Sequence, residues 1–211
     1  MAQYFEVHPQ HPQARLLKQA ADILHKGGVV ALPTDSSYAL VCHLDDKAAA
    51  DQLRRIRGVD ERHHLTLLCR DLSELANYAR VDNRQYRLLK LGTPGPFTYL
   101  LEATKEVPRR VSHPSRRTIG LRVPEHLVAQ ALLEILGQPL LATTLIMPGE
   151  ELALNDAHDI RERLQKQIQA VIDAGACPLE PTTVIDLSSG EAAIVRHGRG
   201  DLARVGLADL R

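Results

Sequence analysis

Short aliphatic runs alternate along this chain with segments of helical periodicity, and that alternation restricts the fold more than any other feature. Val29-Val30-Ala31-Leu32 is a buried-strand pattern stopped by Pro33. Comparable runs stand at 65–68, 97–101, 118–123, 140–143 and 171–172. Between them, Leu16, Leu17, Ala20, Ala21 and Leu24 fall at helical spacing within 13–26, and Gly27 follows as a stop. Asp45 or Asp46 is placed to cap a helix carrying Ala49, Leu53 and Ile56. Asp71 and Asp82 look like caps of two more helices, and Asp156 of one running to about Gln167. Residues 125–136 predict an apolar helix closed by Gly137. Ser188-Ser189-Gly190, between runs at 182–187 and 192–196, is a hairpin signal. The pattern predicts an α/β fold with a twisted mixed parallel/antiparallel sheet and flanking helices. A single domain over 1–211 is expected, its core at about 12–200 and its last dozen residues a loosely attached tail.

The core has to be aliphatic, because the chain has no Trp, two Phe and five Tyr. Lys plus Arg and Asp plus Glu number 26 each, so global charge favours neither nucleic acid nor a membrane, and only local clusters can. Cys42, Cys69 and Cys177 are odd in number and far apart, which supports neither a zinc knuckle nor a disulfide framework. Free thiols fit a reducing cytosol, and a cytoplasmic location is expected. The first residues lack a basic segment followed by an apolar one, so no signal peptide is expected, and no run suggests a membrane span.

No GxxxxGK[ST] and no GxGxxG after a strand is present, and the ten histidines show no metal spacing. His63 and His64 would point opposite ways in extended chain. No protein-held metal is expected. Four features carry chemistry. Pro33-Thr34-Asp35-Ser36-Ser37-Tyr38 follows a strand, where α/β sheets bind ligands beyond strand carboxyl ends; the same residues also make an ordinary turn or cap. Arg54-Arg55-Ile56-Arg57 ends a helix, either as forks for phosphate or as charges complementing the helix dipole. Lys105, Arg109, Arg110, His113, Arg116, Arg117 and Arg122 form a basic stretch, either a phosphate or RNA patch or a solvated loop. Thr143-Thr144 and Thr182-Thr183 lie at strand edges, and singly are ordinary strand residues.

Taken in order, GlyGlyValValAlaLeuProThrAsp (27–35), ArgIleArg (55–57), ProGlyProPheThr (94–98), ThrIleGlyLeuArgValPro (118–124), AlaThrThr (142–144), ThrThrValIleAsp (182–186) and ArgHisGly (196–198) resemble the YrdC/YciO family. The resemblance runs from about residue 12 to 200 and is nearest the YciO branch through 69–75 and 104–110. It implies a YrdC-like fold around a deep basic cleft. It also implies threonylcarbamoyl-AMP synthase-like chemistry: L-threonine, bicarbonate and ATP, with Mg2+ accompanying the ATP, give threonylcarbamoyl-AMP and pyrophosphate for tRNA modification. The alternative on the same fold is a non-catalytic protein binding double-stranded RNA, tRNA or a nucleotide.

By the same resemblance, Ser36, Arg122 and Thr182 would contact threonine. Arg55, Arg57, His64, Thr118, Thr144 and Arg196 would contact the nucleotide, with His64 loosely placed because 58–65 is lengthened. On the alternative reading, the basic stretch supplies Arg109, Arg110, Arg116 and Arg117 as the RNA contacts. No catalytic side chain is expected, since bicarbonate and the amine supply the attacking atoms. Three positions depart from the family's synthases. Arg55 stands where they have Lys, Thr144-Leu145-Ile146 replaces Ser-x-Asn, and Tyr38-Ala39-Leu40 replaces Tyr-Gly-Leu. Ile146 offers no side-chain hydrogen bond, so binding with slow or no synthesis is the expected consequence.

Overall fold

The computed structural model describes residues 1–209. The first half of the chain contains β1 (Gln3–Glu6), α1 (Ala14–His25), β2 (Val30–Leu32), β3 (Ala39–His43), α2 (Lys47–Arg57), β4 (Thr66–Leu68), α3 (Leu72–Tyr78), α4 (Asn83–Gly92) and β5 (Phe97–Glu102). The second contains β6 (Thr118–Arg122), α5 (Leu127–Leu136), β7 (Leu140–Thr144), α6 (Ala157–Leu164), β8 (Ala170–Asp173), β9 (Thr183–Asp186) and β10 (Ala193–Arg196), then a 3-10 helix (Leu202–Val205). No helix among the described residues is long and apolar enough to cross a membrane.

Local chemistry sets the helix ends. Asp46, Asp71, Asp82 and Asp156 each accept a hydrogen bond from the backbone N three residues on, satisfying a donor with no helical partner. At Asp82 the reciprocal bond from Gln85 completes a capping box. Gly58 ends α2 with φ +62°, a left-handed turn that glycine adopts without a Cβ penalty.

The ten strands form one sheet in the order β1-β8-β2-β3-β7-β4-β6-β5-β9-β10. Pairs β1–β8, β2–β8, β4–β6 and β5–β9 are parallel and the remaining neighbours antiparallel, so the sheet is mixed as expected. One face is packed by α2, α3, α4 and α6 through Leu53, Leu75, Leu89 and Ile160 against Leu40, Leu67, Tyr99, Leu121 and Leu141. The other face is only half covered. There α1 and α5 bury Leu17, Leu24, Leu132 and Leu133 against Val30, Val41, Leu68, Leu140 and Ala170. Toward β6, β5 and β9 that face carries no helix.

Two strands escape the sequence pattern. β1 has one buried residue in four, and its pairing partner β8 lies far along the chain. β3 follows directly on the polar 34–37 turn, and its burial comes from β2 on one side and β7 on the other. Residues 200–209 are not a loose tail. Val205 is buried, Leu202 and Leu207 pack on the core, and Arg204 donates to Leu91 O and Pro94 O at 3.0 Å. Residues 210 and 211 of the expected tail lie outside the described residues.

Candidate functional site

The uncovered half-face forms the floor of a cavity of about 430 Å³. Strand alternation puts Thr66 and Leu68 of β4, Thr98 and Leu100 of β5, and Ala142 and Thr144 of β7 on it. Thr34 and Ser37 enter just past the carboxyl end of β2, as the strand-end rule predicts. The body of the cleft, however, lies on the sheet face rather than beyond the strand ends, because no helix covers that half. Gly120 lets Thr66 and Thr98 of the floor pack closely over its backbone. A Cβ there would come within 2.9 Å of Thr66 Oγ1 and 3.1 Å of the Leu65 carbonyl.

The lining contains Arg57, Arg62, Arg122 and Arg196 with His63 and His64, and no Asp or Glu. Arg122, at 5% exposure, projects from the end of β6. Its Nη1 donates to Ser36 Oγ at 3.0 Å and its Nη2 to Asp35 Oδ1. Burial pushes this guanidinium's pKa down, and the Asp35 carboxylate opposes the shift. Arg122 Nε and Asp35 Oδ2 are buried without partners.

Arg196 is held from the opposite wall. Its Nε and Nη2 donate to Thr182 O at 3.1 and 2.9 Å, and Nη2 also reaches Thr182 Oγ1 at 3.1 Å. Thr182 Oγ1 in turn lies 2.9 Å from Thr98 Oγ1. Arg57 Nη1 donates to Ile146 O, while Arg57 Nε is buried without an acceptor. His64 Nε2 hydrogen-bonds Thr118 Oγ1 at 2.9 Å, and its ring stacks on His113 at 4.9 Å between centroids. Desolvation and neighbouring cations lower the pKa of both His63 and His64, so these rings stay neutral at neutral pH.

Of the residues expected at the site, Arg57, His64, Arg122, Thr144, Thr182 and Arg196 line the cavity together. Ser36 and Thr118 are buried behind it and reach it through Arg122 and His64. Arg55 does not join them; it is exposed, while its neighbour Arg54 faces inward at 8% exposure. His63 and His64 both face the cavity, because residues 58–65 form a turn rather than the extended chain that would have split them. The four arginines expected on RNA do not make one free patch. Arg109 and Arg117 are exposed, but Arg110 donates to Leu44 O at 3.1 Å, and Arg116 lies 3.8 Å from Asp186.

Sequence reasoning gave no role to Arg62, His63 or Thr98, and took Asp35 only as part of the polar 33–38 turn. The pairing of Asp35 with Arg122 depends on a contact spanning 87 positions. Thr98 carried a usable signal, a hydroxyl in an otherwise apolar strand. Chemically, the site offers uncompensated guanidinium donors along one wall, a buried guanidinium at the other end and threonine hydroxyls between them. That arrangement suits a ligand with several anionic oxygens.

The sequence model of the Sua5/YciO/YrdC family, described as "telomere recombination", matches residues 22–198. The chain is 50% identical over 202 residues to the uncharacterized protein YciO of Escherichia coli K12, covering 96% of this chain and 98% of that protein. The crystal structure of E. coli YciO superposes with a TM-score of 0.94 at 49% identity, over 97% of this chain and all of that one. The human threonylcarbamoyl-AMP synthase is 31% identical over 191 residues, 86% of this chain and 67% of that protein. P. abyssi Sua5 in complex with L-threonine matches with a TM-score of 0.85 at 25% identity, over 92% of this chain and 57% of that one. The sequence match, the shared fold and the basic cleft agree, and the chain belongs to the Sua5/YciO/YrdC family.

Proposed function

We propose that the chain is a threonylcarbamoyl-AMP synthase-like nucleotidyltransferase that uses L-threonine, bicarbonate and ATP and works slowly. The observation that carries this reading is the cleft lining, which contains four guanidiniums and no carboxylate and ends on the buried Arg122. Arg122, braced by Ser36 behind it, holds the threonine carboxylate, and Thr182 lies beside the amino acid. Arg57 and Arg196 take the phosphates, with Thr144 and the Thr118-held His64 along the nucleotide. The amine nitrogen adds to the bicarbonate carbon and water leaves. An oxygen of the resulting carbamate attacks the α-phosphorus, and pyrophosphate departs. The side chains orient these groups and stabilise negative charge, and none forms a covalent intermediate. Mg2+ enters on the triphosphate as part of the substrate, and the product serves tRNA modification.

The purified protein is expected to release pyrophosphate from ATP only when threonine and bicarbonate are both present. Release that ignores either one, or no release at high protein concentration, rejects the reading. Ile146 lines the cleft where the family's synthases carry Asn. Restoring that amide with Ile146→Asn is expected to raise the rate by about tenfold, the scale of one hydrogen bond to a charged group.

A second reading, RNA binding on the same fold, rests on the exposed Arg109, Arg116 and Arg117. It predicts a salt-dependent affinity for double-stranded RNA that falls when these three are changed to Gln. Unchanged affinity in that variant removes this reading.

A further inference from the structure

Three of the four cleft guanidiniums already donate to protein oxygens: Arg57 to Ile146 O, Arg122 to Asp35 and Ser36, and Arg196 to Thr182. Arg62 differs. Its one hydrogen bond among the described residues runs from its backbone N to Asp60 Oδ1 at 2.9 Å, which leaves all five guanidinium N–H groups for a ligand.

The chain is built to bring that side chain back over the cleft. α2 ends at Gly58 with Gly58 N donating to Arg55 O at 3.2 Å and Val59 N to Arg54 O at 3.1 Å, which reverses the backbone. Asp60 then closes a second turn through Arg62 N and, at 3.2 Å, His63 N. Arg62 and His63 line the cavity as a result, and Arg55 does not. The helix period explains the difference. Ala49, Ala50, Leu53, Arg54 and Ile56 form the buried face with half-buried Arg57 at its C-terminal end, and Arg55 lies about 100° away from Arg54.

We propose that Arg62, rather than Arg55, completes the polyphosphate-binding side of the cleft. This rests on reading the cleft as a nucleotide site, and it names a further residue of the phosphate end. A planar guanidinium fork can meet two phosphate oxygens at once. His63 beside it loses its proton readily, first because desolvation disfavours the imidazolium and then because Arg57, His64 and Arg196 repel it.

The test is calorimetric titration of inorganic tripolyphosphate and of ATP into the wild type, Arg62→Gln and Arg55→Gln, with melting temperatures measured alongside. Both residues are exposed, so both variants should fold and melt like the wild type. Arg62→Gln is expected to bind tripolyphosphate about tenfold more weakly with a shallower salt dependence, and Arg55→Gln to stay within about twofold. Equal losses in the two variants, or a loss in Arg55→Gln alone, overturn the proposal. So does a wild type that binds no polyphosphate, which also removes the nucleotide reading. Tripolyphosphate binding that depends on Arg62 but comes with no threonine-dependent pyrophosphate release keeps this proposal and rejects synthesis. Threonine-dependent release with unchanged binding in Arg62→Gln does the reverse.

Discussion

Two halves of one sheet face solve different problems. Under α1 and α5 the pleat positions are Val30, Val41, Leu68, Leu140 and Ala170, a dry aliphatic contact. A few strands away the same face carries Thr66, Thr98, Gly120 and Arg122, and no helix lies over it. One hydrogen-bonded sheet runs continuously through both, so the backbone does not distinguish them. Side-chain chemistry does. Leucine gains about 1.5–3 kcal/mol when a helix covers it. Threonine and arginine gain nothing comparable, and their hydrogen bonds need polar partners. The half in which threonines, a glycine and arginines interrupt the aliphatic surface of Leu68, Leu100 and Val184 is therefore the half left open to a ligand.

The sharpest way to break that contrast is to put an apolar side chain into the open half. Arg122→Met removes the partner of Asp35, which then sits as an uncompensated carboxylate only about an eighth exposed. A loss of about 3–5 kcal/mol in unfolding free energy is expected in denaturant titration. Asp35→Asn in the same chain should recover most of it, because the buried charge is gone. Failure of the double variant to recover means that Asp35 is solvated and that the pair does not organise this end of the cleft.

In the covered half, Leu132→Ala opens a cavity in a fully buried site between helix and sheet. It should cost about 2–5 kcal/mol and leave polyphosphate affinity unchanged. A matching loss of affinity would show that the two halves are mechanically one unit. Gly120→Ala tests the floor between them. Its Cβ meets a movable hydroxyl at Thr66 and a fixed carbonyl at Leu65, so about 1–3 kcal/mol is expected. Thr66→Ala should relieve only the part due to the hydroxyl.

The same contrast explains what could be read from the chain. The covered half follows local rules: aliphatic runs, helical spacing and Asp caps at 46, 71, 82 and 156 stand where the elements start and stop. The order of the strands does not, because β1 joins β8 and β5 joins β9 through partners distant in sequence. In the open half, residue types were legible and directions less so. Arg57 and Arg122 stand in basic stretches and Arg196 is named through the family resemblance, whereas Arg62 reaches the cleft only through the turn after Gly58. Arg55 is the instructive case. The spacing of Ala49, Ala50, Leu53, Arg54 and Ile56 already put it off the inward face, and helical period was the better guide to its position.

Acid separates the halves with the smallest effect. Burial lowers the pKa of His63 and His64 in the open half, and also of His126, which caps α5 through Nδ1. The unfolded chain takes up these protons near the ordinary value of 6.5, and the folded chain resists. Unfolding therefore binds protons below that pH, so the stability present above it is lost as pH falls toward the lowered folded values. Melting temperature should decline on acidification from pH 7 to 5. Tripolyphosphate should shrink the decline, because an anion beside His63 and His64 favours their charged forms and raises their folded pKa. The His63→Gln/His64→Gln variant should lose both this share of the decline and its sensitivity to tripolyphosphate, leaving what His126 and the carboxylates contribute. A decline of undiminished size in that variant would move the pH response out of the cleft and onto the cap of α5, in the covered half.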